Sequence, residues 1–303
     1  MKIFAAVIIT VLLVSANTHS QPLPSSSLLT ELRSATISGV IDISGAVVLN
    51  NGKWSGKPYV KGGAERPSVH LVEEMVLSGD VNGDGAKDVV AFLASSTGGS
   101  ATQINFALFL RTGSVLTNKA TVWLGDRVQI RSAAIDSAGV IGLTLVRIGE
   151  GDAMCCPGEV VMRRWSWKNG SLEELPELPL GRFSTASLEG TVWKLESWKQ
   201  GELVDTNTAV TLTFDHDKVN GRSACNQYFA KCENGSSPGE ILISAGGSTK
   251  MMCPPEMMKT EDRYLRLLSQ VKKFSFSFGR VKLDYVENNS PRSLIFVPNS
   301  VNY

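Results

Sequence analysis

Residues 80–88 carry the side chains best suited to hold a cation. The segment reads Asp-Val-Asn-Gly-Asp-Gly-Ala-Lys-Asp and lies between an apolar run that ends at Leu77 and a strand predicted to begin at Val89. A glycine-rich loop with oxygen-bearing side chains at alternate positions supplies the hard ligands that calcium prefers, together with one backbone carbonyl. We therefore predict a calcium site with the following ligands: Asp80, Asn82, Asp84, Ala86 (through its carbonyl) and Asp88.

This loop differs from an EF-hand, because its twelfth position is Ala91, where an EF-hand carries a bidentate Glu. It resembles instead the strand-loop-strand calcium loops of FG-GAP and dockerin-like repeats. The sequence contains one such loop, so a propeller built of several blades is not predicted. The alternative interpretation is an Asx-rich turn, in which the same side chains bind the backbone of their own loop without a metal.

The cysteines form the second group of chemically capable residues: Cys155, Cys156, Cys225, Cys232 and Cys253. Neither His70 nor His216 is spaced with them as a zinc site requires, so disulfides are expected if the chain is exported. The adjacent pair Cys155 and Cys156 either forms a strained vicinal disulfide that acts as a redox switch, or splits so that one member bonds elsewhere, with Cys232 as the candidate partner. We expect the split, because native disulfides need relaxed geometry.

Other patterns that support catalysis are missing from the sequence. It contains no Gly-x-Ser-x-Gly elbow, phosphate loop or dinucleotide fingerprint, and a Ser-x-x-Lys match at 269–272 lacks its companion motifs. The formal net charge is +1, and no basic patch interleaves with aromatic residues, so nucleic acid is not expected as a partner. These observations predict a protein that is not an enzyme.

A third group of polar residues and cysteines lies in the C-terminal part of the chain. Cys225-Asn-Gln-Tyr228 is followed by Ser248-Thr-Lys-Met-Met-Cys253 and then by Glu261, Tyr264 and Leu265. Together with Trp193-Lys-Leu195 near the start and Ser293-Leu-Ile-Phe296 near the end, this order resembles the META domain, the HslJ-like family of bacterial envelope proteins. The resemblance covers about residues 188–297. It implies a small β-rich module that is linked to heat shock and stress tolerance and has no known catalytic residues.

The same resemblance implies roles for individual residues. Cys225 and Cys253 occupy the positions where META domains often carry cysteine, which implies a disulfide between them; Cys232, where the family usually has an aromatic residue, is the alternative partner of Cys253. A contact surface that binds without catalysing is expected around Asn226, Tyr228, Ser248, Thr249 and Lys250. The alternative is that Asn226 and Thr249 pair with buried backbone groups and hold a barrel closed.

The N-terminal half has a looser resemblance, over about residues 68–175. Glycine-rich loops at 79–85 and 98–100 are followed by segments 124–128 and 151–157, and the last of these precedes a strand rich in Arg and Trp. This arrangement is similar to exported bacterial proteins of the LppP/LprE lipoprotein type. That resemblance implies no established activity.

The elements that must position these residues are predicted to be mainly strands. Turn signals recur about every eight to twelve residues in the C-terminal half and separate short alternating runs such as 210–214, which indicates an antiparallel sheet or barrel. Helical spacing of apolar residues over 256–271, after two prolines, predicts one packed helix with Met257 and Met258 in the core. The N-terminal half contains strand-like runs at 104–110, 140–148 and 160–167, and Asn169-Gly170 predicts a hairpin or turn after the last.

Length and composition favour two domains. With 303 residues and 43% apolar content the chain can bury a core, and its length exceeds that of most single domains. We predict a mostly β fold of the α+β type: a β-rich domain at 34–172, a linker rich in Pro, Glu and Ser at 173–186, and a META-type antiparallel barrel or sheet with one packed helix at 187–303. Residues from about 21 to 34 are expected to form a second loose segment.

The N-terminus predicts export. Lys2 and an apolar run from Ile3 to Val14 are followed by small residues that permit cleavage after Ala16 or Ser20, so residues 1–20 are predicted to be a signal peptide. No cysteine lies near either cleavage position, which disfavours a lipoprotein. The mature protein is expected to be periplasmic or secreted by a bacterium, without a membrane span; the alternative is a retained membrane anchor.

These inferences lead to one expected function and two alternatives. We expect an exported, non-enzymatic META module that binds an envelope protein or ligand, which the sequence does not identify, and that supports heat-shock or stress tolerance. The alternatives are a calcium-dependent extracellular hydrolase with its site at the 80–88 loop, and a secreted protease inhibitor.

Overall fold

Antiparallel strands make up most of the molecule. The computed structural model describes residues 24–205, 208–244 and 246–299. Strands account for 53% and helices for 10%, and the sheets include a curled half-barrel and a nearly closed barrel, which confirms the mostly β prediction. The predicted signal peptide, residues 1–20, lies outside the described residues.

Between residues 24 and 182 the structure contains one helix and three sheets. Helix α1 (Ser26–Arg33) precedes a two-stranded sheet of β1 (Thr36–Ile37) and β2 (Val47–Val48). A five-stranded sheet follows in chain order: β3 (Lys53–Ser55), β4 (Ser68–Gly79), β5 (Asp88–Ser96), β6 (Gln103–Thr112) and β7 (Val115–Asp126). A four-stranded sheet completes this half: β8 (Gln129–Ile135), β9 (Ile141–Arg147), β10 (Glu159–Lys168) and β11 (Ser171–Arg182).

The C-terminal half forms one ten-stranded sheet and a helix. After a 3-10 turn (Thr185–Leu188) its elements are β12 (Trp193–Lys199), β13 (Glu202–Leu203), β14 (Thr211–Asp215), β15 (Lys218–Arg222), β16 (Gln227–Asn234), β17 (Ile241–Ile243), β18 (Gly247–Ser248), α2 (Pro255–Leu268), β19 (Lys273–Ser277), β20 (Arg280–Glu287) and β21 (Ser290–Pro298). The strand order is β17-β16-β15-β14-β12-β21-β20-β19, with β13 on β12 and β18 on β16. A bridge between Glu240 and Lys273 connects the two ends of this order and nearly closes the barrel.

Two-residue turns set the register of several hairpins. Asn169 and Gly170 have φ values of 50° and 82°, and they connect β10 to β11 with Lys168 paired to Ser171. Both residues of a type I′ turn need positive φ, which Asn and Gly accept at low cost, so the predicted turn at Asn169-Gly170 is confirmed. The strands predicted at 104–110, 140–148, 160–167 and 210–214 lie in β6, β9, β10 and β14.

The segment before β1 corrects an expectation. Residues 21–34 were expected to be loose, whereas α1 occupies most of that range. The Ser25 hydroxyl caps the helix by accepting a hydrogen bond from the backbone N–H of Leu28 at 3.2 Å. Leu32, within the helix, is buried. Arg33 then pairs with Glu73 of β4. The helix has only two turns, so its apolar periodicity was too short to be recognised.

Strand β5 lies at the centre of the N-terminal half and is buried on both faces. Val89, Ala91 and Leu93 belong to a buried cluster on the side of α1 and β1. Val90 and Phe92 belong to another cluster, which fills the space between the five-stranded and four-stranded sheets. Because neighbouring side chains of a strand point to opposite faces, one continuous apolar run serves two cores.

The four-stranded sheet also contacts the barrel. Val146 of β9 and Val160 of β10 belong to the same buried cluster as the barrel interior. Between the halves, the backbone N–H of Phe276 donates to the side-chain oxygen of Gln129 at 2.8 Å, and the Arg131 guanidinium donates to the Ser187 carbonyl at 2.7 Å. The two halves therefore share buried apolar surface and partly buried hydrogen bonds.

The segment predicted as a linker, 173–186, is ordered as most of strand β11 and the start of the 3-10 turn. Its prolines suggested an irregular chain, but β11 is an edge strand, where a missing backbone N–H is tolerated. Pro179 pairs in register with Val161, and Pro176 lies at a register shift against β10. The division into domains at 34–172 and 187–303 stays a prediction.

Helix α2 confirms the predicted helix but ends three residues earlier, at Leu268. Pro255 begins it, and Tyr264, Leu267 and Leu268 are buried against the barrel. The prediction that Met258 lies in the core is wrong, because its side chain is exposed. Neither helix of the described residues is long and apolar enough to cross a membrane.

Candidate functional site

The disulfide between Cys225 and Cys253 confirms the pairing implied by the resemblance. The Cα atoms of the two residues are 6.0 Å apart. Cys225 is buried directly after a tight turn in which Ala224 has a φ of 75°, and Cys253 lies two residues before α2. The bridge therefore ties the start of β16 to the entry of the helix. The alternative partner, Cys232, keeps a free thiol that is buried on β16.

Asn226 lies at the centre of a hydrogen-bond network beside this bridge. Its side-chain oxygen accepts from the Thr249 hydroxyl and from the Met251 N–H, both at 2.7 Å. Its amide nitrogen donates to Glu261 at 3.0 Å, and its backbone N–H donates to the other Glu261 oxygen at 2.8 Å. That second oxygen also accepts from the Ser223 hydroxyl at 2.8 Å. Asn226 and Glu261 thus connect β16, the segment after β18 and helix α2.

Tyr228 continues the same strand into the barrel interior. Its hydroxyl donates to the Thr211 carbonyl at 3.0 Å and lies 2.7 Å from the Tyr264 hydroxyl. Because Tyr228 has a single proton to donate, Tyr264 must donate to it. Burial raises the pKa of both tyrosines, so both hydroxyls stay neutral. The pair links the sheet to α2 and is closed to solvent.

These positions correct part of the predicted contact surface. Asn226 and Tyr228 are buried and bonded internally, so they cannot contact a partner. The alternative interpretation of Asn226 and Thr249 agrees with their contacts, since Asn226 binds the backbone of Met251 and Thr249 binds Asn226. Ser248, Thr249 and Lys250 are exposed.

Apolar side chains extend this exposed region beyond what the sequence indicated. Phe229 is 65% exposed on β16, and its ring lies against Gly247, its partner across the strand pair. Met252 is 94% exposed. We name this region the Lys250 surface, and it consists of Phe229, Ser248, Thr249, Lys250 and Met252. The alternation along β16 that buries Tyr228 places Phe229 outside, which is a signal that the sequence does contain.

The 80–88 loop brings three of its predicted ligands together. The Asp80 carboxylate accepts backbone N–H groups of Gly83 at 2.7 Å and Gly85 at 2.9 Å, and Asn82 accepts the N–H of Asp84 at 3.0 Å. Asp84 in turn accepts from the N–H of Ala86 at 2.7 Å, which is the main reason why the pKa of its carboxyl is lowered. The loop is therefore folded by its own carboxylates, as an Asx-rich turn is.

Asp88, the fourth predicted side-chain ligand, has other hydrogen-bond partners than this group. It is fully buried, and its two oxygens accept from the N–H of Val81 and the N–H of Arg111, each at 2.9 Å. The residue thereby connects the loop to β6. Across the described residues, no group of three or more Asp, Glu, His or Cys side chains converges as a metal-ligand set. The donors at Asp80, Asn82 and Asp84 have the hard oxygen chemistry of calcium, and the ion itself stays a prediction.

The structure pairs Cys155 with Cys156, so the expectation that they split is wrong. They lie in the loop between β9 and β10, where Cys155 is exposed and Cys156 is half-buried. Cys232, the proposed partner, is buried among the residues of the barrel cluster. A split would need another cysteine at this loop, but Cys225 and Cys253 are bonded to each other and Cys232 is buried in the barrel.

Asp152 holds the loop that carries the pair. Its carboxylate accepts from the N–H of Gly149 and the N–H of Gly158, both at 2.8 Å, and forms an ion pair with Arg182 at the end of β11. The hydrogen bond from Arg182 is the main reason why the pKa of Asp152 is lowered. The sequence did not indicate this contact, because Arg182 lies in the segment predicted as a linker.

Comparison with known protein families identifies the C-terminal half. The family model of the META domain matches residues 186–299, which include the Cys225–Cys253 bridge, Asn226, Tyr228 and Glu261. A META domain is therefore present in this chain. No curated protein sequence matches the chain. The match does not extend to the N-terminal half, whose resemblance to LppP/LprE-type proteins and to FG-GAP calcium loops stays a prediction.

Proposed function

We propose that this protein is an exported, non-enzymatic META protein that binds an envelope protein through the Lys250 surface and thereby supports heat and stress tolerance. The observation that carries the proposal is the contrast between the two sides of β16. Asn226, just before β16, and Tyr228 on its inner face are bonded internally. Phe229 on the outer face of β16 is exposed, and so are Lys250 and Met252 in the segment after β18. Binding rather than catalysis is the use that such a surface supports.

The composition of this surface favours a protein partner. Aromatic and methionine side chains are enriched where protein interfaces form, and an exposed aromatic ring is the type of residue that contributes most to binding. The Cys225–Cys253 bridge and the Asn226 network hold the backbone beneath the surface in place. A rigid backbone lowers the conformational entropy lost on association.

Export is the second part of the proposal. Two disulfides, and the absence of a membrane-crossing helix within residues 24–205, 208–244 and 246–299, are compatible with a periplasmic or secreted protein. Fractionation of the producing cells, followed by alkylation and peptide mapping, tests this point. Recovery of the protein in the cytoplasm with all cysteines reduced would contradict it.

The binding role is tested by heat survival of the producing bacterium. A strain without the gene is complemented with the wild type or with a triple variant of the Lys250 surface, Phe229→Ser, Lys250→Ser and Met252→Ser. The triple variant is expected to keep the wild-type melting temperature and to lose heat survival. A matched control changes equally exposed residues elsewhere on the same half, Leu203→Ser, Lys272→Ser and Val286→Ser, and should complement fully.

The outcomes separate the rival functions. Full complementation by the surface variant would contradict the binding proposal. Calcium-dependent hydrolysis by the purified protein would favour the hydrolase, and inhibition of secreted proteases would favour the inhibitor.

A further inference from the structure

The Cys155–Cys156 disulfide differs from a structural bridge in its covalent geometry. Neighbouring residues in a trans chain have Cα atoms 3.8 Å apart, and this pair has that separation. Most protein disulfides connect Cα atoms that are about 4.4 to 6.8 Å apart. The bond between neighbours is therefore strained by the sequence itself, and strained or exposed disulfides are the more easily reduced ones.

This bridge also adds little to stability by restricting the unfolded chain. The chain-entropy gain of a disulfide grows with the number of residues in the closed loop. A bond between adjacent residues encloses no intervening residue, whereas the Cys225–Cys253 bond spans 28 positions. Loop closure therefore does not explain why the Cys155–Cys156 disulfide is present.

The surrounding loop holds its shape through other bonds. Asp152 binds the N–H groups of Gly149 and Gly158, and the N–H of Cys156 donates to the Ala153 carbonyl at 2.9 Å. None of these bonds involves a sulfur atom. Opening the disulfide therefore breaks none of the bonds that shape the loop, in which Cys155 is exposed and Cys156 is half-buried.

We propose that Cys155–Cys156 is a thiol–disulfide exchange site that accepts two electrons from a dithiol. One thiolate of the dithiol attacks the Sγ atom of exposed Cys155, a mixed disulfide forms, and Cys156 leaves as a thiolate that takes up a proton. The second thiolate of the dithiol then attacks its own mixed-disulfide sulfur and releases Cys155. The dithiol is oxidised to a disulfide, and the protein gains two thiols.

The electrons must come from outside the chain. Cys225 is buried, so its bridge with Cys253 is shielded at one end. Cys232 is the free thiol among the cysteines, and burial raises its pKa to about 12, which leaves almost no thiolate at neutral pH. A partner dithiol is therefore the donor that fits the site.

Titration of the folded protein with dithiothreitol tests the proposal. Samples are equilibrated at increasing ratios of reduced to oxidised dithiothreitol, quenched with acid, alkylated and mapped by mass spectrometry. The Cys155–Cys156 pair is expected to be half reduced at a ratio at least about tenfold below that for Cys225–Cys253, which corresponds to about 30 mV. Equal ratios, or peptides in which Cys155 or Cys156 is joined to another cysteine, would overturn the assignment.

Single-cysteine variants identify the attacked sulfur. With Cys156→Ser, oxidised glutathione should form a mixed disulfide at exposed Cys155, which dithiothreitol then removes. Cys155→Ser is the matched control, in which half-buried Cys156 should react more slowly. Absence of a mixed disulfide at Cys155 would overturn the proposal, and the titration of the wild type remains decisive if a variant does not fold.

Discussion

The two disulfides of the described residues differ in how far apart their cysteines lie along the sequence. Cys225 and Cys253 are 28 positions apart, and their bond joins the start of a strand to the entry of a helix. Cys155 and Cys156 are adjacent, and their bond stays within one exposed loop. Only the first bond can restrict the unfolded chain strongly. The comparison indicates that the role of a disulfide depends on the sequence separation and the exposure of its two cysteines.

A carboxylate supports each disulfide, but at a different range. Glu261 of α2 accepts from the backbone N–H of Asn226, so its bonds join elements that are 35 positions apart. Asp152 accepts from N–H groups that lie three and six positions away in its own loop. Loss of Glu261 therefore affects the packing of a helix on the barrel. Loss of Asp152 affects one loop and its ion pair with Arg182 at the end of β11.

Removal of each bridge gives the largest expected contrast. The double variant Cys225→Ala, Cys253→Ala should lose about 3.5 kcal/mol of unfolding free energy. Without the bond, the unfolded chain is no longer restricted by a closed loop of 28 residues and gains entropy. The matched double variant Cys155→Ser, Cys156→Ser should change it by less than about 0.5 kcal/mol. Guanidinium unfolding of the three proteins measures both values. Equal losses would remove the distinction between the bridges.

The next prediction concerns the N-terminal half, in which the Cys155–Cys156 bond is expected to add little stability. Calcium at the 80–88 loop is expected to stabilise this half instead. An ion that binds only the folded 80–88 loop stabilises by about 2.7 kcal/mol at a hundredfold excess over its dissociation constant. The unfolding midpoint of the wild type should therefore rise with calcium and fall with a chelator. The variant Asp80→Asn, Asp84→Asn should lose the response, and Asp217→Asn, on an exposed turn, should keep it. A midpoint that calcium leaves unchanged in the wild type would contradict the ion.

Asn226→Ala tests whether hydrogen bonds, in addition to the Cys225–Cys253 disulfide, stabilise the contact between the start of β16 and helix α2. The variant loses the bonds to Met251, Thr249 and Glu261 and should be less stable by about 2 kcal/mol. Asn220→Ala, an exposed change on β15, is the control and should have almost no effect. Combined with removal of the bridge, the loss should be less than additive, because both hold the same segments together. Strict additivity would mean that the network and the bridge act independently.

The sequence predicted the features that depend on local preference. Asn169-Gly170 was recognisable because a two-residue hairpin turn needs residues that accept positive φ. The Cys225–Cys253 pairing came from the resemblance to META domains, which the family model match to 186–299 supports. Pro255 also predicted the start of α2, because proline is favoured at the first position of a helix.

Features that depend on position in the fold were missed. Strand β11 was predicted to be a linker, because prolines count against a strand unless the strand lies at an edge, and edge position is a tertiary property. For Asn226 the sequence left two roles open, a surface contact or a bond to buried backbone groups, because its partners Met251 and Glu261 are 25 and 35 positions away. Sequence spacing does not report such contacts.

Asp152→Asn should destabilise the protein less than Asn226→Ala, since Asp152 holds one loop and the end of β11 and does not pack a helix on the barrel. The variant loses the ion pair with Arg182 and one acceptor for the N–H groups of Gly149 and Gly158, so unfolding free energy should fall by about 1 kcal/mol. The lowered pKa of Asp152, caused first by Arg182, fixes the pH dependence. The unfolded chain has the ordinary carboxyl pKa of about 3.9, so the contribution is complete above roughly pH 5 and declines as the pH falls through the lower pKa of the folded state. Unfolding of the wild type and the variant at several pH values should give a constant difference from pH 7 to 5 that narrows below pH 4. A difference that widens on acidification would mean that the pKa of Asp152 is higher in the folded protein than in the unfolded chain. The conclusion that the Asp152 carboxylate holds the loop of Cys155 would then be wrong.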